Sequence, residues 1–280
     1  MPTASNVAFV ADSTLGLSPE EALSRGIHVV PQQVIWKDKT FRDQLEITDE
    51  EVLDLLRQGE RLSTSQVAPE DLRTTYKTLL QSHERVLSVH VSGHLSGTVA
   101  TAMAVAREFG ERVKVLDSWS LNGGLLLLLE EARRLLGKGL AWERFEETLA
   151  PYRERLRGYV LPQTLTYLHR SGRISGLQRF VGGLLQILPV LEVKGGRVFP
   201  GPRVRGFKEG LRKVAELFRR DFPQGGLTYL AHAGNPEGAK ALGEVLKAEG
   251  VEVLGTLKAG AAVSVHAGPG TVALFAGPRP

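Results

Sequence analysis

Residues 86–98 read VLSVHVSGHLSGT, an apolar run of strand length that ends in a Ser/Gly-rich turn just before a helical pattern begins. A strand that opens into small hydroxyl-bearing residues at a helix N-terminus presents unpaired N–H groups and side-chain donors. That arrangement suits a carboxylate or a phosphate. Ser96 lies in Gly-His-Leu-Ser-Gly, a spacing that departs from the G-x-S-x-G of a hydrolase nucleophile elbow, and no G-x-x-x-x-G-K-[ST] phosphate loop is written here. The stretch predicts recognition of an acidic group without covalent attack.

Outward from it, strand and helix patterns alternate. Residues 7–11 read as a buried strand ending at Asp12-Ser13-Thr14, followed by a helix start with Ser18 as N-cap and Pro19 at the first helical position. Residues 27–35 read as a second strand, 48–57 and 69–81 as amphipathic helices, 96–109 as a helix, 113–116 as a strand and 121–136 as a helix. Such alternation predicts a mostly parallel sheet with helices on both faces, whose ligands sit beyond the carboxyl ends of the strands. The loops after Ala11, Val91 and Leu116 are the ones this rule points to. After a charged helix at 142–157 the texture changes to short strands and Gly-rich turns, with helices at 207–221 and 236–249 and strands at 227–231, 251–257 and 271–275. The expected fold class is α/β in two lobes, residues 1–155 and 156–280, the second a further α/β unit.

The 280 residues are 42% hydrophobic and 24% charged, ordinary for a globular protein, and the net charge of +4 is dispersed. Without a dense basic tract interleaved with aromatics, nucleic acid is not an expected partner. The mild basic excess allows at most a transient contact with an anionic membrane surface. Having no cysteine, the chain is denied disulfides, thiolate catalysis and Cys-based zinc sites. His90 and His94 straddle a strand end and H-E-x-x-H is absent, so no metal site is expected. The opening MPTASNVAFVAD lacks a basic segment followed by a long apolar one, which predicts a cytoplasmic protein. The apolar windows 121–129 and 181–191 are too short to cross a bilayer and read as core or pocket material.

Several polar groups carry chemical content. Thr64-Ser65-Gln66 precedes a helix that begins near Pro69; helix capping explains one of these side chains but not three. Of Ser92 and Ser96, one can cap the following helix and leave the other free. Arg173 follows a Ser-Gly turn before an apolar stretch; a solvated arginine is its plain reading, a bidentate carboxylate contact at a pocket mouth its functional one. His266 reads as part of a tight turn with Gly268-Pro269-Gly270, a shape that favours a site over a packed histidine. Asp12 and Asp117 end probable strands and read as caps of the turns that follow. The run LNGGLLLLL at 121–129 is apolar all round and predicts a helix buried on every side, as core or, with 181–188, as the wall of a long cavity.

Taken in order, Asp12-Ser13-Thr14, Thr64-Ser65-Gln66, Leu95-Ser96-Gly97-Thr98, Asp117-Ser118, Gly172-Arg173-Ile174, His232-Ala233-Gly234-Asn235 and His266-Ala267-Gly268-Pro269-Gly270 resemble the DegV family of bacterial fatty-acid-binding proteins. Two departures are visible: Val67-Ala68 stands where the family usually has Pro-Ser, and Ser171 precedes Gly172-Arg173 where it usually has Gly. The first removes a hydroxyl, while the second leaves the arginine in place. The resemblance implies two α/β lobes with a palmitate-like acyl chain buried between or beneath them and no other cofactor. It implies that Thr64 and Ser96 bind the carboxylate, supported by Ser65, Ser92, Arg173 and His266. It also implies that an ATP-dependent fatty acid kinase acts on the presented carboxylate, so that the chain itself is a carrier rather than an enzyme.

Burying about fourteen methylenes gives at most about 11 kcal/mol, against about 1.5–3 kcal/mol for each charge-assisted head-group bond. The tail should dominate affinity and the donors orientation. Two other readings remain open on the residues alone. One is an acyl hydrolase or transferase using Ser96 with His266; the other is a small-anion sensor with no long cavity.

Overall fold

The computed structural model describes residues 6–174 and 187–280. Strands β1 (Val7–Asp12), β2 (Ile27–Val30), β6 (Arg85–His90) and β7 (Val113–Asp117) form an entirely parallel sheet in the order β2-β1-β6-β7. Side chains along β1 alternate between faces, as strand geometry requires. Ala8 and Val10 pack under α3 (Pro69–Leu79) and α4 (Thr98–Ala106), while Val7, Phe9 and Ala11 pack on the side of α5 (Gly123–Gly137).

The second sheet takes its strands from residues 157–277 in the order β10-β9-β8-β13-β11-β12: β8 is Arg157–Leu161, β9 Ile187–Lys194, β10 Arg197–Arg205, β11 Leu227–His232, β12 Gly255–Lys258 and β13 Val272–Gly277. Only β11 and β12 pair in parallel; the other pairs are antiparallel. Its outer face carries α8 (Phe207–Asp221) and α9 (Pro236–Ala248), and its inner face, through Tyr229, Ala231, Ala273 and Phe275, meets the cluster that also holds α5.

Helix α5 therefore lies between the two sheets, which explains a helix apolar on every side: Leu125 to Leu129 are each at most 1% exposed. Its first turn must touch the second sheet closely. A Cβ on Gly123 would stand 2.8 Å from Tyr229 Cβ and 2.9 Å from Phe275 Cβ, so only glycine permits the approach. The five leucines are core and not cavity wall; only Leu121 and Asn122, before the helix, reach the cavity described below. Of the apolar window 181–191, residues 181–186 lie outside the described residues.

A third, antiparallel sheet departs from the expectation of one strand over 27–35. The chain breaks at Pro31-Gln32, and the second half becomes β3 (Gln33–Trp36), paired with β4 (Lys39–Arg42) and β5 (Leu62–Ser65). Proline cannot donate to a ladder, so a strand changes partners readily there. On this small sheet pack α2 (Asp49–Arg57) and α10 (Ala261–Ala267), through Val34, Val52 and Leu56 against Ala261, Ala262 and Val265. The C-terminal α10 is thus built into a cluster of N-terminal residues. The other differences are local: the helix expected at 96–109 gives way after Ala106 to a 3-10 segment, the helix at 142–157 shortens to α6 (Phe145–Glu154) after a 3-10 turn, and the strand at 251–257 begins only at Gly255.

Two buried carboxylates hold α10. Asp43 Oδ2 accepts from Ser13 Oγ (2.6 Å) and from the Ala262 N–H (3.3 Å), and Asp49 Oδ1 accepts from Ser264 Oγ (2.7 Å). Burial pushes the Asp43 carboxyl up to about 7 against those bonds, with the charge of Asp49 adding to the rise. Because the folded value lies above the ordinary 3.8, this carboxyl's share of stability is full below pH 3.8 and is lost as the pH rises toward 7. That share is on the order of 4 kcal/mol. Asp43→Asn, which mimics the protonated acid, is expected to melt above the wild type at pH 8 and level with it at pH 4; a difference independent of pH would contradict this.

Candidate functional site

A cavity of about 300 Å³ opens between the small sheet, α10 and the inner face of the second sheet. Its apolar wall is one row across that sheet, the paired residues Leu191, Val160, Ala273 and Ala231, with Val193 and Phe275 beside it. Leu168 and Ile174 close one end and pack on Leu191. Alanines 233, 259, 262 and 267 contribute further small side chains to the lining. Polar groups gather where β5, the loop before α4, and α10 meet: Thr64, Ser65, Gln66, Ser96, Arg173 and His266 all line the cavity.

Thr64 reaches it from β5, not from a helix cap. Ala68 occupies the N-cap of α3 and makes no side-chain cap bond, so the capping explanation of Thr64-Ser65-Gln66 does not hold. Alternation along β5 leaves Thr64 half-buried between exposed Ser63 and Ser65. Its Oγ1 stands 2.6 Å from His266 Nε2. His266 belongs to the last turn of α10 and not to the expected Gly-Pro-Gly turn; the helix ends at Ala267 and is stopped by Gly268 at φ 81°. Seven residues rich in Ala and Val form a helix here because α2 and β3 bury its apolar face, a tertiary contribution that local pattern does not reveal. Burial, and then the charge of Arg173, push the imidazole down to about 4, so His266 is neutral at pH 7.

Ser96 is oriented by Thr98, for which the sequence suggested no role of its own. Thr98 is fully buried, and its Oγ1 accepts from Gln32 Nε2 (3.0 Å) and from the Val67 N–H (3.3 Å). With both lone pairs taken, the Thr98 hydroxyl hydrogen goes to Ser96 Oγ at 3.0 Å, which also accepts the Thr98 N–H at 3.3 Å. Ser96 is left with its own O–H to donate. Gln66 approaches the same turn, where a Cβ on Gly97 would stand 2.1 Å from its Oε1.

The structure does not bring Ser92 to the cavity. Its buried hydroxyl donates to the Gly196 carbonyl at 2.8 Å and accepts from the His94 N–H at 3.2 Å, tying the turn after β6 to the hairpin between β9 and β10. Neither is Ser96 bonded to His266, whose Nε2 is engaged with Thr64, so the serine–histidine pair of the hydrolase reading is not formed. Arg173 is exposed at the mouth, one guanidinium nitrogen donating to the Ser171 carbonyl at 2.7 Å. Thr14, after β1, and His232, at the end of β11, also line the cavity, as do Gln32 and Asn122, whose sequence surroundings carried no signal for a site.

A second constellation has the look of a triad. Tyr76 donates to Ser88 Oγ (2.8 Å), Ser88 Oγ stands 2.7 Å from His90 Nε2, and His90 Nδ1 lies 3.1 Å from Asp12 Oδ2. All four residues are 0% exposed, so no substrate reaches Ser88 and the chain is structural. Asp12 also caps the turn after β1 by accepting from Thr14, and Asp117 accepts from the Trp119 and Gly93 N–H groups, in line with the capping reading of both.

The sequence matches the family described as "uncharacterised protein, DegV family" over residues 6–279. A DegV domain-containing protein of Deinococcus radiodurans is 36% identical over 95% of this chain and 96% of its own. A DegV family protein from Thermus thermophilus, whose structure is described for its fatty acid binding, superposes with a TM-score of 0.88 at 34% identity, covering 98% of this chain and 100% of that one. The Bacillus subtilis DegV structure, described as a fatty acid binding protein, gives 0.84 at 26% identity, covering 98% and 99%. The fold is an α/β arrangement of three sheets with a mostly apolar cavity edged by hydroxyls. The chain belongs to the DegV family.

Proposed function

We propose that this protein binds a long-chain fatty acid, the chain in the apolar cavity and the carboxylate at Thr64 and Ser96, and presents it to a separate ATP-dependent kinase in the cytoplasm. Residues 1–155 and 156–280 act in this reading as two lobes that close over the ligand. The observation that carries the proposal is the single cavity lining that joins an apolar sheet row to the Thr64–His266 and Ser96–Thr98 pairs. Fatty acid binding by the related structures supports it.

The donors are arranged for an ionised acid. With its proton on Nε2, neutral His266 donates to Thr64 Oγ1 and frees the Thr64 O–H for one carboxylate oxygen, as Thr98 frees that of Ser96 for the other. Two neutral donors orient the head group without quenching its charge, and Arg173 at the mouth supplies the positive field. In the partner's active site, a carboxylate oxygen attacks the γ-phosphorus of ATP while the bond from that phosphorus to the leaving ADP oxygen breaks, yielding acyl phosphate and ADP.

This division of labour is tested by Thr64→Ala combined with Ser96→Ala. Orientation is lost while tail burial remains, so kinase-dependent acyl phosphate formation is expected to fall about 100-fold or more with lipid still retained on the protein. Equal loss of both would contradict the assignment.

A further inference from the structure

Asp43 stands directly behind the cavity wall: it is buried, and two residues bonded to it, Gln32 and Ala262, line the cavity. From it a line of contacts runs to each head-group hydroxyl. On one side, Asp43 Oδ2 accepts from the Ala262 N–H in the first turn of α10, and His266, four residues on and so on the same helix face, meets Thr64 Oγ1. On the other, the backbone of Gln32 is held at both ends. Its N–H donates to Ser13 Oγ at 3.0 Å, its carbonyl accepts the Asp43 N–H at 2.9 Å, and Ser13 Oγ in turn donates to Asp43 Oδ2. Gln32 fixed in this way carries its Nε2 to Thr98 Oγ1, and Thr98 orients Ser96. Both lines meet at Asp43.

The groups around this carboxyl leave an ionised form poorly compensated. From α2 it faces Asp49, a second carboxyl, which itself accepts from Ser264 and faces Glu50, Lys258 and Arg57. On its own segment Arg42 is engaged with Glu46, and beside Ser13 the Asp12 carboxylate is turned to His90, Thr14 and Val91. The loop at Gln32 and the start of α10 offer amide groups, and His266 lies at the far end of that helix. Among the described residues none of these groups is a cation paired with Asp43, and its Oδ1 accepts no hydrogen bond. We propose that Asp43 is a positioning residue of the head-group site and makes its occupancy proton-linked: protonated, it holds both hydroxyls in place, and its ionisation weakens the hold on a carboxylate. A fatty acid head group brings a further negative charge up to the wall, so its binding favours the protonated form and takes up a proton. The inference rests on the fatty acid reading above and adds a regulation of the same site.

Calorimetric titration of the full chain with palmitate, between about pH 6 and pH 8.5 and in buffers of different ionisation enthalpy, reads affinity and proton uptake together. Because the Asp43 carboxyl is pushed up to about 7 and His266 down to about 4, the first titrates within this window and the second does not. Wild-type affinity is expected to fall about fivefold or more from the lower to the higher pH, with net proton uptake around neutrality. Asp43→Asn keeps the accepting oxygen and cannot ionise; its affinity is expected to vary by less than about twofold, with no uptake there. The carboxyl resonance of bound palmitate labelled with carbon-13 at C1 reads the head-group bonds themselves, and should move with pH in the wild type and stand still in Asp43→Asn. The same pH dependence in Asp43→Asn, or wild-type binding that takes up no proton in this window, would overturn the proposal while leaving the fatty acid reading intact. Failure of palmitate to bind the wild-type protein even at pH 6 would instead overturn that reading, and this inference with it.

Discussion

Ala273→Phe is expected to weaken binding of long-chain fatty acids by about two to three orders of magnitude while leaving the protein folded. Ala273 lies within the sheet row that walls the cavity, paired with Val160 on one side and Ala231 on the other, and it is among the residues that line the cavity. A benzyl group there occupies volume that an acyl chain would use. If it displaces four or five methylenes, the lost burial is about 3–4 kcal/mol, or two to three orders of magnitude in affinity. Hexanoate, which reaches less far, should be weakened much less. Calorimetric titration with palmitate and hexanoate, beside thermal unfolding of the same variant, reads all three quantities. Undiminished palmitate affinity in a folded variant would mean that the chain does not lie along this row.

Asp12→Ala is expected to destabilise the protein by about 3–5 kcal/mol, a large part of the 5–15 kcal/mol that typically holds a domain together. The carboxylate is fully buried and accepts from the Thr14 hydroxyl (2.6 Å), the Thr14 N–H (3.1 Å), the Val91 N–H (2.8 Å) and His90 Nδ1 (3.1 Å). Removing it strands every one of those donors where water cannot reach. Burial would raise this carboxyl, yet the bond and charge interaction with His90 and the bonds from Thr14 and Val91 outweigh it and hold it below the usual range. Its contribution is therefore present above pH 3.8 and lost as the pH falls through the lowered value, the opposite sign to Asp43. Denaturant midpoints at pH 7 and pH 3 check both the size and the direction; a loss under 1 kcal/mol at pH 7 would contradict the account.

What was legible in the sequence was what depends on neighbours in the chain. The strand at β6 and its Ser/Gly turn, the strand at β1, and a helix buried on all sides at α5 each follow from periodicity and composition over a short window. The third sheet was not legible, because β3, β4 and β5 are four residues each and owe their existence to one another across up to thirty intervening residues. That omission left helix capping open as one explanation within Thr64-Ser65-Gln66, where Thr64 is a strand residue lining the cavity. His266 looked like a turn residue for a similar reason, since α10 is held as a helix by Asp43, Asp49 and the apolar face of α2. Ser92 and Ser96, four residues apart in one turn, were indistinguishable by type; only the approach of the Gly196 carbonyl shows that the first hydroxyl is spent on structure. Gln32 carried no motif and Thr98 stood in one without a role of its own; their part in orienting Ser96 depends on a contact 66 residues apart.

The central claim is that the cavity holds a long acyl chain. Native mass spectrometry of the purified protein, beside denaturing mass spectrometry of its organic extract, tests it most directly. The account predicts a stoichiometric long-chain fatty acid in the extract and a matching mass increment on the native protein. A clean empty protein that also takes up neither added palmitate nor added oleate would contradict it.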